Sequence, residues 1–152
     1  IIGKANEIIA AAEDLEDTPS LRATVSEAKC FRAQSYFLLY RTFDRIWLNM
    51  LPTTAENVND PRDFHAASEK EVFELIYEDL EYAITNLDWV SDEAGRFTQA
   101  AARHMKAKAA LWLKDWDTTL EQVEEIEKSG HFDLIALNEV FNAGDLNHKE
   151  AL

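Results

Sequence analysis

At 152 residues, 47% hydrophobic and 29% charged, the chain has enough apolar material for one domain's core. Four glycines and three prolines are too few to build the phosphate loops and hairpins of nucleotide folds and β-sandwiches. Fifteen Lys and Arg against twenty-nine Asp and Glu leave a net charge of −14, the opposite of the field that phosphate neutralisation needs, so nucleic acid is excluded as a partner.

The first segment, Ile1 to about Glu16, repeats Ile1, Ala5, Ile8, Ile9 and Ala12 at helical spacing, with Glu7, Glu13 and Asp14 opposite. The chain opens Ile1-Ile2-Gly3-Lys4 without Met or a leader and already inside this helix, as an excised piece of a longer protein does. Thr18-Pro19-Ser20 then reads as an N-cap followed by proline at the first helical position. The helix that follows runs to about Phe43. It grows apolar through Ala28, Cys30, Phe31, Ala33, Tyr36, Phe37, Leu38, Leu39 and Tyr40, which predicts burial on nearly every side.

Periodicity is lost from residue 44 to 67, where Pro52, Pro61, Asn57, Asn59, Asp60 and Asp63 supply breakers and turn chemistry. A loop of this length inside a helical domain is commonly functional. Ser68-Glu69-Lys70-Glu71 is a capping box that starts a third helix, with Val72, Ile76, Leu80, Ala83 and Leu87 as its buried stripe and Glu71, Glu74, Glu78 and Glu81 as a solvated row. A second loop, Asp88 to Phe97, leads to a fourth helix capped by Thr98. Lys114-Asp115-Trp116-Asp117 turns into a fifth helix, which Gly130 ends. The tail, 131–152, carries an apolar knot of Phe132, Leu134, Ile135, Leu137, Val140 and Phe141 and is otherwise irregular.

The span 98–130 is therefore a helix pair at about the 34-residue period of a tetratricopeptide unit. Ala107 and Thr119 supply the small contacts, and Trp116 takes the aromatic place. A looser pair covers 20–88, with loop 44–67 inserted. The expected fold class is all-α: stacked antiparallel helix pairs, tetratricopeptide-like, with two long loops in a single domain.

In combination the residues resemble the SusD/RagB family. Ala5-Asn6-Glu7-Ile8-Ile9 is similar to its N-terminal helix end, and Glu27 through Phe43 to its most recognisable helix. Glu78-Asp79-Leu80-Glu81-Tyr82-Ala83-Ile84, Gly95-Arg96-Phe97-Thr98, Leu113-Lys114-Asp115-Trp116, and Ser129-Gly130-His131-Phe132 with Phe141-Asn142 follow in the family's order. One departure is evident: after Phe43 the family usually continues Gly, Asp, an aliphatic residue and Pro, whereas this chain has Asp44-Arg45-Ile46-Trp47.

The resemblance implies a non-catalytic, surface-exposed lipoprotein of the outer membrane. Such a protein captures oligosaccharide and delivers it to a TonB-dependent, SusC-like transporter. It touches the membrane only through a lipid anchor outside this fragment. The alternative from another class is a tetratricopeptide-type scaffold binding peptides or helices.

The lone Cys30 excludes an intrachain disulfide and, on the apolar helix, reads as a structural thiol. Paired acids such as Glu124 with Glu125 or Glu78 with Glu81 read as solvated faces, not as the acid and base of a glycosidase. His65, His104, His131 and His148 lack zinc spacing. No cofactor is expected. Calcium is a weak alternative at Asp60, Asp63 and His65 or at Asp88, Asp92 and Glu93, because both sets lack the EF-hand pattern.

Sugar rings stack an apolar C–H face on aromatic side chains while neighbouring polar groups bond the hydroxyls. Trp47 with Asn49, and Trp89 with Asp88, are therefore the candidate ligand-binding residues. Trp112 and Trp116 are assigned to the core, as are Tyr36, Phe37 and Tyr40.

Overall fold

A computed structural model describes residues 1–61 and 64–136, and among these it contains five α-helices and no strand. They are α1 (Ile2–Ala12), α2 (Pro19–Phe43), α3 (Glu69–Asn86), α4 (Gln99–Leu113) and α5 (Trp116–Ser129). Asp63 of the calcium alternative lies outside the described residues, as do Leu137, Val140, Phe141, Asn142 and His148 of the tail. The all-α class is as expected. α1 ends at Ala12, the last position of its apolar pattern and about one turn before the expected end near Glu16.

Helix starts follow the capping chemistry. Thr18, Ser68, Thr98 and Asp115 each accept the backbone N–H three residues on, which satisfies donors that the first turn leaves without partners. At Ser68 the box closes in both directions, since Glu71 Oε2 also accepts the Ser68 N–H at 2.8 Å. These bonds from Ser68 hold the Glu71 carboxyl below its ordinary pKa.

The chain divides into two compact units, Ile1–Leu87 and Asp88–Leu152. In the first, α2 packs against both α1 and α3. Arg32 meets Asp79 while Tyr40 meets Glu69 and Phe73, so rising positions in α2 pair with falling positions in α3 and the two run antiparallel. Tyr36, Phe37, Tyr40, Val72, Phe73, Ile76 and Leu80 are buried between them, and the Glu71, Glu74, Glu78 and Glu81 row is exposed.

The expectation that α2 is buried on nearly every side fails at Phe31 and Leu38, which are 50% and 60% exposed. Two neighbouring helices cover two flanks of a cylinder, and positions seven apart share the remaining one.

In the second unit α4 and α5 pair through small side chains: Ala102, Ala107, Ala109 and Ala110 are buried and Thr119 is half-buried. The core assignment of Trp112 and Trp116 is corrected by the structure, where they are 47% and 57% exposed. A seam narrow enough for alanine contacts has no room for indole rings, which are displaced to the outside.

Among the described residues two other than glycine have positive φ. Lys114 (φ 61°, ψ 27°) makes the left-handed turn from α4 towards α5, and Asp44 (φ 62°, ψ −50°) ends α2. At Asp44 the Arg45 N–H donates to the Phe43 carbonyl at 2.6 Å, closing a γ-turn of the strained, positive-φ kind. This is the position where the family resemblance calls for glycine.

Candidate functional site

Loop 44–67 is fastened at both ends. The Ala67 N–H donates to the Ile46 carbonyl at 2.8 Å, and the Ile46 side chain is buried. Within the loop Asn57 Oδ1 accepts the Thr54 N–H and Asn57 Nδ2 donates to the Pro52 carbonyl, so this amide organises the turn. Trp47 and Phe64 bring their rings within 4.8 Å at a tilt of 58°. The loop forms an open pocket of about 310 Å³ lined by Trp47, Asn49, Leu51, Pro52, Asn57, Asp60 and Pro61. Trp47 and Asn49, singled out in the sequence, thus share one concavity with an indole face, an amide and a carboxylate.

Beneath the loop lies a buried polar network that the sequence reading missed. Arg32 donates from Nε and Nη2 to the two oxygens of Asp79 at 2.7 and 2.8 Å, and Lys29 Nζ donates to Asp79 Oδ1 at 2.8 Å. Arg32 Nη1 donates to Asn6 Oδ1 at 2.9 Å, and Asn6 Nδ2 donates to the Asn49 carbonyl at 2.7 Å. The Tyr36 hydroxyl donates to the same carbonyl and accepts the Asn49 N–H, both at 2.8 Å. Burial pushes the Tyr36 phenol above its ordinary pKa, so it stays protonated and able to donate. A signal was present in the sequence: Arg32 sits among Cys30, Ala33 and Tyr36, and Asp79 adjoins Leu80 in the buried stripe, an opposite charge on the apolar face of each of two helices.

The second candidate pair lies in the other unit. Trp89 is half-buried, with the Arg103 guanidinium 5.3 Å from its ring centre and the His131 ring 6.2 Å away. Asp88 is exposed, and its carbonyl accepts the Gln99 N–H at 2.8 Å as the chain enters α4. Arg103 Nη1 also donates to the buried Gln122 at 2.9 Å. Trp89 is thus stacked within its own unit, whereas Trp47 lines a concavity.

Cys30 is fully buried, and burial, reinforced by Asp79, pushes its thiol up to about 12, which fits a structural thiol and not a nucleophile. Among the described residues no group of three His, Cys, Asp or Glu is placed to hold a metal ion. No helix among them is long and apolar enough to cross a membrane.

The helix pairs with their inserted loop define an all-helical, tetratricopeptide-like class, and solved structures share it. A SusD-like protein from Bacteroides fragilis superposes with a TM-score of 0.77 at 26% identity, over 88% of this chain and 26% of its own. A structure determined with xylogluco-oligosaccharide superposes at 0.75 with 26% identity, over 88% of this chain and 28% of that one. No family model matches the chain. A SusD-like protein of Bacteroides ovatus is 31% identical over 123 residues, 77% of this chain, and the match spans about a fifth of that relative's length (21%). Over that stretch the chain is homologous to a SusD-like protein.

Proposed function

We propose that this chain is part of a glycan-binding protein of an outer-membrane uptake complex. It captures oligosaccharide without a chemical step and passes it to a TonB-dependent, SusC-like transporter. The observation that carries the reading is the loop pocket, where Trp47 offers an apolar face to a sugar ring beside the hydrogen-bonding groups of Asn49 and Asp60. Its volume, about 310 Å³, is at the lower end of the range for small-ligand pockets. Homology to SusD-like proteins, and the structural likeness to a protein determined with a xylogluco-oligosaccharide, support the ligand class. The transporter and the surface location rest on the family resemblance alone. Asp88 and Trp89 remain the second proposed contact.

Isothermal titration of the full-length protein with xylogluco- and laminari-oligosaccharides tests this. At least one series is expected to bind, and Trp47→Ala is expected to weaken it about tenfold, or about 1.4 kcal/mol. No binding to any glycan series removes the reading.

The protein-scaffold alternative draws support from α5, where Trp116, Leu120 and Val123 are exposed at i, i+4 and i+7. A pull-down with the full-length protein that recovers a peptide or helical partner but no transporter favours it.

A further inference from the structure

We infer that Tyr36 and Asn6 are positioning residues for the loop pocket, fixing its ligand-facing wall by gripping the backbone of Asn49; this rests on the pocket being the glycan site. Trp47, Asn49 and Leu51 all line the pocket. They are spaced two apart and are followed by Pro52, so residues 47–52 form one wall of the pocket, and a slip of this segment would displace that wall. Asn49 is the middle one of the three, and its N–H and C=O are both taken by side chains from the helices. The grip is on the main chain, which leaves the Asn49 amide for the pocket.

The grip has a defined orientation. A guanidinium only donates, so Arg32 Nη1 requires the Asn6 amide oxygen on its side, and the Asn6 NH₂ must then face the loop carbonyl. Arg32 is itself fixed in plane by the two-pronged bond to Asp79. The register of the loop is thereby referred through α1 and α2 to a carboxylate on α3, and Asn6, Arg32, Tyr36 and Asp79 are all buried.

The test compares Tyr36→Phe, Asn6→Ala, Trp47→Ala and Lys29→Met in the full-length protein. Hydrogen exchange of the 46–51 amides and affinity for xylogluco-oligosaccharide are the readouts. Lys29→Met removes a bond to the same Asp79 but none to the loop, and so controls for loss of stability alone. Tyr36→Phe keeps the ring in the core, and Asn6→Ala is the second route to the same wall. In both, exchange at 46–51 is expected to quicken at least tenfold and affinity to fall about tenfold, while α2 and α3 amides hold their protection and Lys29→Met keeps wild-type affinity.

Unchanged exchange at 46–51 in Tyr36→Phe overturns the inference. So does unchanged affinity in Tyr36→Phe where Trp47→Ala loses it, or an equal affinity loss in Lys29→Met. If Trp47→Ala leaves affinity untouched, the pocket reading itself falls and the inference falls with it, whatever the exchange rates show.

Discussion

The two units solve helix pairing in opposite ways. Residues 1–87 place their large side chains between helices, with Tyr36, Phe37, Tyr40, Phe73, Ile76 and Leu80 interleaved around a buried ion network. Among the described residues from 88 onward the buried apolar side chains are alanines, while Leu111, Trp112, Trp116, Leu120 and Val123 are exposed. Stabilisation from burial scales with the apolar area removed from water, so the first unit gains more per residue from its own pairing. It also acquires what a binding loop requires, a mount with polar groups at fixed positions. The second unit gains close approach and keeps its apolar area on the surface.

The sharpest break in this comparison is expected at the buried charges. Asp79→Ala leaves the Arg32 guanidinium buried without its counter-ion and should cost about 3–5 kcal/mol. The counterpart in the second unit, Gln122→Ala, removes a neutral acceptor from a half-buried Arg103 and should cost about 1.5–3 kcal/mol. Urea denaturation followed by helical circular dichroism measures both. An Asp79→Ala cost no larger than that of Gln122→Ala would mean that the ion network does not set the first unit apart.

Next in size is a substitution that separates seam from surface in the second unit. Ala109 is fully buried, so Ala109→Leu should overpack the α4 side and cost about 1–3 kcal/mol. Trp116→Ser, on the exposed side, should stay within about 0.5 kcal/mol despite removing a far larger side chain. The same denaturation midpoints decide the matter, and a reversed order would return Trp116 to the core.

Much of this was legible beforehand, for local reasons. Thr18, Ser68, Thr98 and Gly130 act through bonds and dihedrals within a few residues, so the helix ends could be read directly. The stripe Val72, Ile76, Leu80 and Ala83 likewise carries its own period. What failed depended on which neighbour a face meets. Phe31, Leu38, Trp112 and Trp116 are apolar in sequence whether or not another helix arrives to cover them. At the candidate site, Trp47 and Asn49 were found from side-chain chemistry, and the structure joins them in one pocket. The grip of Asn6 and Tyr36 escaped because their partners lie 43 and 13 positions away, distances at which no periodicity speaks; Arg32 and Asp79 each mark an apolar face with a charge, but their pairing across 47 positions is not written there.

The smallest expected effects concern Asp44 and Lys114, the two non-glycine residues at positive φ among the described residues, one in each unit. An L residue there loses about 1–2 kcal/mol to contact between Cβ and backbone, and glycine removes that contact at a cost of roughly 0.4–1 kcal/mol in unfolded-chain entropy. For Lys114, in the ordinary left-handed well, the penalty is at its lower end of about 1 kcal/mol, the two nearly cancel, and Lys114→Gly should change stability by less than about 0.5 kcal/mol. Asp44 has ψ −50°, within a γ-turn that side chains tolerate less well, so Asp44→Gly should stabilise by about 0.5–1 kcal/mol. Because Asp44 stands two residues before Ile46, where the loop is fastened, the strain lies at the entrance to the pocket wall. A gain in midpoint for Asp44→Gly with unchanged glycan affinity would show that this strain is incidental to the loop. A gain accompanied by altered affinity would show that the helix exit, like the Tyr36 grip, helps set the position of Trp47.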